Sequence, residues 1–179
     1  MENKAPLENK APLENKAPLE NKAPLENKAP LENKVPPPII LIAALFIMRA
    51  IASFDPFIQA WAYSISLGWL FVIIGCAISL SGMRSFVRAK TTVDPLNPQK
   101  ASRLVTSGIF SFTRNPMYLG MAAISVGGAV YLQSPLAVFG VVAFVVYIQR
   151  FQIRPEEKAM QTLFGEQFAH YKQRTRRWL

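Results

Sequence analysis

RNPMYLGMAAISVGGAVYLQSPLAVFGVVAFVVYIQRFQIRPEE, residues 114–157, decides the fold of this chain. Its polar ends are Arg114-Asn115-Pro116 and Arg154-Pro155-Glu156-Glu157. Between them lie two apolar runs, 117–132 and 136–153, separated by Gln133-Ser134-Pro135. Proline breaks a helix in its interior and suits its first position, so the stretch reads as two helices joined by a turn. The runs read as membrane spans. A down-and-back pair returns both ends to one membrane face, which brings an arginine, a helix start and two carboxylates together there.

Upstream, Ser107-Gly108-Ile109-Phe110-Ser111-Phe112-Thr113 completes the first polar signature, and Arg84, Arg88, Lys90, Lys100 and Arg103 crowd the connection before it. An apolar run at 57–83 is long enough to cross roughly 30 Å of hydrocarbon. Trp61, Tyr63 and Trp69 toward its first half fit an interfacial belt, and Gly68, Gly75, Ser79 and Gly82 offer small surfaces for close helix packing. Asp55-Pro56 makes a turn. The run at 39–54 follows Val35-Pro36-Pro37-Pro38 and carries Arg49 near its far end. Ala50-Ile51-Ala52 resembles a signal-peptide cleavage site, but no net positive charge precedes the run and Arg49 interrupts the context, so it reads as a retained span.

The expected architecture is all-α: an integral membrane domain at 35–179 with about four transmembrane helices plus a C-terminal amphipathic helix. Ala159, Leu163 and Phe164 lie among the apolar positions of that last helix, followed by Leu163-Phe164-Gly165, Tyr171, and the basic Lys172, Arg174, Arg176 and Arg177. Basic clusters follow the second and fourth spans. One orientation satisfies both, with the site and both termini in the cytoplasm and a bacterial inner membrane as the expected setting.

Charge agrees with that reading. The chain has a net charge of +9 and is 51% apolar. From Val35 onward 14 Lys and Arg face five acidic residues, whereas the opening segment balances six Lys with six Glu, so the whole excess belongs to the apolar part. Basic charge beside long apolar runs fits anionic lipid headgroups at a cytoplasmic face rather than nucleic acid. Cys76 and His170 are single residues of their kinds, which excludes a disulfide framework and a multi-histidine metal site; Cys76 reads as a buried small residue and His170 as part of a polar helix face. Residues 2–31 are five identical copies of Glu-Asn-Lys-Ala-Pro-Leu. A proline every six residues forbids both a continuous helix and a strand ladder, and one leucine per repeat cannot offset the entropy of ordering. Residues 1–34 are therefore expected to form a disordered tail.

The chemistry sits in the two signatures. Asn115 suits the capping position and Pro116 the first helical position. A helix start favours an anionic group, and the Arg114 fork can hold a carboxylate through two parallel bonds. The bland alternative is an ordinary cap with an arginine anchoring lipid headgroups. Glu156 and Glu157, about 100° apart on a helix, would do different jobs, one of them suited to a cation. A ligand carrying both a carboxylate and positive charge would use both signatures.

The pattern Gly108…Arg114-Asn115-Pro116-Met117-Tyr118-Leu119-Gly120, with Glu156-Glu157…Leu163-Phe164-Gly165…Tyr171, resembles the isoprenylcysteine carboxyl methyltransferase family, whose small bacterial members and phospholipid N-methyltransferase relatives share this layout. The resemblance covers roughly residues 80–179. It implies an all-helical membrane enzyme that binds S-adenosylmethionine at its cytosolic face without a Rossmann domain. Carried over by position, Arg114, Asn115, Pro116, Tyr118 and Gly120 match the first cofactor-binding motif, and Glu156 and Glu157 the second. Arg154 and Glu157 are the candidate catalytic residues, and no metal is expected. Many family members have histidine where this chain has Asn115, and asparagine cannot titrate, so catalysis by that position is not expected. The implied acceptor is a membrane lipid or a prenylated small molecule or peptide, methylated on a carboxylate or an amine. A small transporter and a nicotinamide-dependent intramembrane reductase are the competing readings.

Overall fold

Pro116 starts a helix because its fixed φ suits the first position and its missing N–H would have found no partner there. That helix, α3, runs Pro116–Leu132 and ends where Gln133 turns left-handed. A computed structural model describes residues 34–58, 60, 62–91 and 101–179; the hexapeptide repeats, Trp61 and Lys100 lie outside the described residues. Ahead of α3 come α1, Pro37–Ala52, and α2, Ser64–Arg88, and a short 3-10 turn at Gly108–Ser111. After it come α4, Ala137–Ile148, a π turn at Gln149–Ile153, and α5, Arg154–Arg174, which continue one another. Among the described residues the only extended pairing is an isolated bridge between Thr113 and Arg176.

The apolar surface faces outward. Ile39, Phe46, Ile47, Trp69, Ile73, Phe139 and Val146 are all more than half exposed, which in water would be a large unpaid exposure of hydrocarbon and in a bilayer is ordinary solvation. By length and composition, α2 and the stretch Ala137–Arg174 can cross a membrane, and Pro37–Ala52 and Pro116–Leu132 are shorter apolar helices. Among the described residues two helices, not the expected four, are thus long and apolar enough to cross a membrane. The second helix also begins later and ends later than the run at 57–83: it opens at Ser64 and continues through Phe86 and Val87 to Arg88.

Small residues set the closest contact. Helices α2 and α3 form the most extensive pair in the fold, with Gly68 and Gly75 of one against Gly127 and Gly120 of the other. A Cβ on Gly120 would collide with the Gly75 carbonyl oxygen and with Ser79, so only glycine allows this approach. Ser79 donates to the Met117 carbonyl at 3.2 Å across the same interface. Cys76, expected inside, is instead exposed on α2; it follows Gly75 by one residue and so points about 100° away from the helix pair.

Asp55 ties the two turns at the far end together. Its carboxylate accepts hydrogen bonds from the Ser134 hydroxyl, from the Leu136 N–H at 3.0 Å and from the Phe57 N–H at 2.8 Å. Burial works against the charge, but the three bonds prevail and hold the carboxyl below the usual range. Asp55→Ala leaves the Ser134 and Leu136 donors unpaired in a buried place. The melting temperature in detergent is expected to fall by several degrees, while Asp55→Asn, which keeps an acceptor, should recover part of the loss.

Two apolar clusters hold the other end. Leu41, Tyr118, Phe144, Ile148 and Ile153 join α1, α3 and α4. Val105, Phe110, Phe164, Phe168 and Tyr171 pack α5 under the 3-10 turn, where Tyr171 donates to the Phe110 carbonyl at 2.6 Å. Gly165 bends α5 with φ +50° and ψ −121°, a conformation that glycine takes without strain.

Candidate functional site

The start of α3 and the start of α5 meet, as the down-and-back pairing requires. Arg114 stands two residues before the first helical position of α3, and Glu157 lies in the first turn of α5. Arg114 donates to Glu157 Oε1 from Nε at 3.2 Å and from Nη2 at 2.7 Å. Its Nη1 turns to the carbonyls of Lys172, at 3.4 Å, and Thr175. A second arginine, Arg177, takes the other side of the same carboxylate, with Nε on Oε1 at 3.1 Å and Nη2 on Oε2. Arg114 and Glu157 are 10% and 15% exposed, and Arg177 34%, so the cluster sits half out of solvent. Burial alone would raise the Glu157 carboxyl; the bonds from Arg177 and Arg114 outweigh it and hold it below the usual range. The Arg177 guanidinium is raised in turn, chiefly by its bond to Glu157.

Glu156 does something else, as two neighbours about 100° apart on a helix must. It accepts from the Tyr118 hydroxyl, inside the cluster that joins α1, α3 and α4. Burial pushes its carboxyl up to about 8; the Tyr118 bond works against the shift and the adjacent Glu157 charge adds to it. At neutral pH one carboxyl is thus largely protonated and its neighbour fully ionised.

The remaining expected residues divide. Asn115 occupies the capping position of α3, but its side chain makes no cap bond; its Nδ2 donates to the Arg177 carbonyl at 2.9 Å instead, and its backbone N–H goes to Thr113 Oγ1 at 3.2 Å. Pro116 is buried at the first helical position and packs against Gly82. Gly120 faces Gly75 and Ser79 of α2, one turn along the helix from Arg114's end, so close packing accounts for its lack of a side chain. Arg154 opens α5, exposed, and among the described residues no hydrogen bond or ion pair joins it to Arg114, Glu156 or Glu157. Sequence reasoning missed Arg177. It read the basic end as the last part of an amphipathic helix and as a cluster at the cytoplasmic membrane face, whereas α5 stops at Thr175, whose backbone is extended, and the chain then crosses back over Thr113 and Arg114. Arg176-Arg177-Trp178 following a β-branched helix stop was the available signal. Trp178 Nε1 donates to Gln149 Oε1 of the π turn at 3.0 Å.

Chemically the site offers two guanidiniums, one ionised carboxylate and one buried neutral carboxyl at the end of an apolar bundle. That donor set matches a zwitterionic amino-acid group: a carboxylate for an arginine, an ammonium for Glu157. Among the described residues no group of three His, Cys, Asp or Glu side chains is placed to hold a metal ion.

The profile of the phospholipid methyltransferase family matches residues 63–167. The chain is 30% identical over 137 residues to protein-S-isoprenylcysteine O-methyltransferase B of Arabidopsis thaliana, covering 75% of this chain and 68% of that one. It is 27% identical over 126 residues to the protein-S-isoprenylcysteine O-methyltransferase of Saccharomyces cerevisiae, covering 65% of this chain and 52% of the yeast protein. The solved eukaryotic intramembrane Ras methyltransferase, an isoprenylcysteine carboxyl methyltransferase, superposes with a TM-score of 0.59 at 22% identity. That match covers 82% of this chain and 53% of the solved one, so the chain spans about half the length of that enzyme. The superposition shows that the two share an all-helical membrane fold.

Proposed function

This chain belongs to the phospholipid methyltransferase family, and from that premise we propose that it is an S-adenosylmethionine-dependent membrane methyltransferase acting on the carboxylate of a prenylated or otherwise lipid-borne acceptor. The observation that carries the reading is the Arg114–Glu157–Arg177 cluster, which joins the two polar signatures at one end of the apolar bundle. When bound, the cofactor supplies an electrophilic methyl on a sulfonium. Arg114 would hold its amino-acid carboxylate and Glu157 its ammonium. The bundle end excludes water from one side, and positioning with partial desolvation is most of what such a transfer needs.

The protonation states favour a carboxylate acceptor over an amine. A carboxylate is ionised at neutral pH and needs no base, whereas an amine must lose a proton. Glu157, proposed from sequence as a catalytic residue, is held low by two arginines and is a poor base; Arg154, exposed at the same membrane face, suits attraction of an anionic acceptor. Farther along α3, a cavity of about 190 Å³ lined by Leu45, Trp69, Val72, Ile124 and Tyr131 has only hydrocarbon-compatible walls, which fits a lipid chain. Four membrane crossings and a site facing the cytoplasm complete the proposal.

Calorimetry of the detergent-solubilised chain against S-adenosylmethionine and a reduced nicotinamide cofactor tests the activity class: the first alone should bind. Methyl transfer should then reach a small S-prenylated cysteine with a free carboxylate and not an amine-bearing phospholipid. Topology has its own test. In a Cys76→Ala background, a cysteine placed at the exposed His170 should stay unlabelled by impermeant reagent applied outside intact cells; efficient labelling would reverse the orientation.

A further inference from the structure

Residues 175–179 are bound to the first signature at several points. The Arg114 N–H donates to the Arg176 carbonyl at 3.0 Å, and the Arg177 carbonyl accepts from Asn115 Nδ2 at 2.9 Å and from Thr113 Oγ1 at 3.2 Å. Beyond them Trp178 packs on the cluster that contains Tyr118 and Ile153 and bonds to Gln149. The segment thus lies across the space between the two signatures.

A count of donors gives this arrangement its meaning. A guanidinium has five N–H donors. Arg114 commits two to Glu157 and two to the carbonyls of Lys172 and Thr175, which leaves one. It cannot grip a ligand carboxylate with two parallel bonds until it releases either Glu157 or the C-terminal carbonyls. Glu157 is in the same position: Oε1 accepts from both arginines and Oε2 from Arg177. The site in this state is satisfied by its own chain.

We propose that Arg177 is a further residue of the cofactor site, holding on Glu157 the place of the ligand's ammonium, and that residues 175–179 move aside when a zwitterionic amino-acid group takes Glu157 and Arg114. The proposal rests on the S-adenosylmethionine reading. The exchange replaces one charge-assisted pair by another, so the electrostatics change little; the cost of binding is the opening of the segment. Apparent affinity is reduced by the fraction of molecules that are open, and weakening the segment should therefore tighten binding.

Trp178 reports the movement. The chain has three tryptophans, so Trp61→Phe with Trp69→Phe leaves Trp178 as the only one, and its quenching by acrylamide is read with and without S-adenosylmethionine alongside calorimetry. Saturating S-adenosylmethionine should raise the quenching of Trp178. Arg177→Ala should show high quenching without ligand and bind S-adenosylmethionine about tenfold more tightly, with Arg177→Lys between it and the parent. Binding that leaves Trp178 as shielded as before overturns the exchange, as does weaker binding by Arg177→Ala, which would make Arg177 a partner of the bound ligand. If Arg177→Ala does not fold, the ligand dependence in the parent and the Arg177→Lys affinity decide alone. Absence of binding in every variant overturns the cofactor reading and the exchange with it, and calorimetry separates that case from a shielded Trp178 in a protein that binds.

Discussion

Glu157→Ala is expected to weaken S-adenosylmethionine binding by roughly tenfold to a hundredfold, the largest effect of any single change at the site. The substitution removes the one ionised carboxylate in the cluster and leaves the Arg114 and Arg177 guanidiniums facing each other across its place. A charge-assisted hydrogen bond is worth about 1.5–3 kcal/mol, and each 1.4 kcal/mol is about a factor of ten in affinity. Two losses coincide: the ligand ammonium has no anion, and two like charges repel where the ligand must enter. The substitution also frees residues 175–179, which by itself favours binding, so the observed loss is the smaller for it. Glu157→Gln keeps the shape and the acceptor but not the charge, and should fall between alanine and the parent. Glu156→Ala should behave differently. It exposes the Tyr118 hydroxyl to an apolar cluster and should cost stability more than it costs the ligand's charge pairing. Calorimetry read beside the melting temperature in detergent distinguishes the two neighbours. Equal binding by Glu157→Ala and the parent would reduce the cluster to a structural clasp.

Helices and their starts were legible because they depend on neighbours in the sequence. Pro116 preceded by asparagine marks a helix start whatever the fold, and the small residues of α2 at 68, 75, 79 and 82 declare a helix-packing face by their spacing alone. The meeting of Arg114 with Glu157 was legible too, since two antiparallel helices return their outer ends to one place. What could not be read depends on reversals without a local signature. Asp55 reaches Ser134 and Leu136 only because both turns lie at the same end of the bundle, and Asp55-Pro56 by itself looks like any turn. Arg177 reaches Glu157 twenty positions back because α5 stops at Thr175 and the chain folds over Thr113; a run of basic residues after a span reads otherwise as a cluster facing anionic headgroups. Asn115 shows how a position can be right and its use different, with the backbone at the cap and the side-chain amide spent on the C-terminal segment.

Gly120 is where the sequence motif and the structure give different reasons for the same residue, and a substitution separates them. The motif places it among the cofactor-binding positions, while the structure sets it against Gly75 and Ser79 at the closest point of α2 and α3. A Cβ there would run into the Gly75 carbonyl oxygen and the Ser79 backbone as well as the Ser79 hydroxyl, and because backbone cannot turn aside the helices must part. Overpacking of this kind costs typically about 1–3 kcal/mol and more where backbone has to move. Between helices in lipid, where close backbone approach is itself the main attraction, little remains to offset it. Gly120→Ala is therefore expected to lower the melting temperature in detergent by more than Asp55→Ala does, and Gly120→Val to prevent accumulation in the membrane. The fraction of Gly120→Ala that remains folded should bind S-adenosylmethionine with parental affinity, because Arg114, Glu157 and Arg177 keep their places at the helix end. A stable Gly120→Ala protein that has lost the ligand would assign the glycine to the site after all, its missing side chain making room for the cofactor rather than for α2.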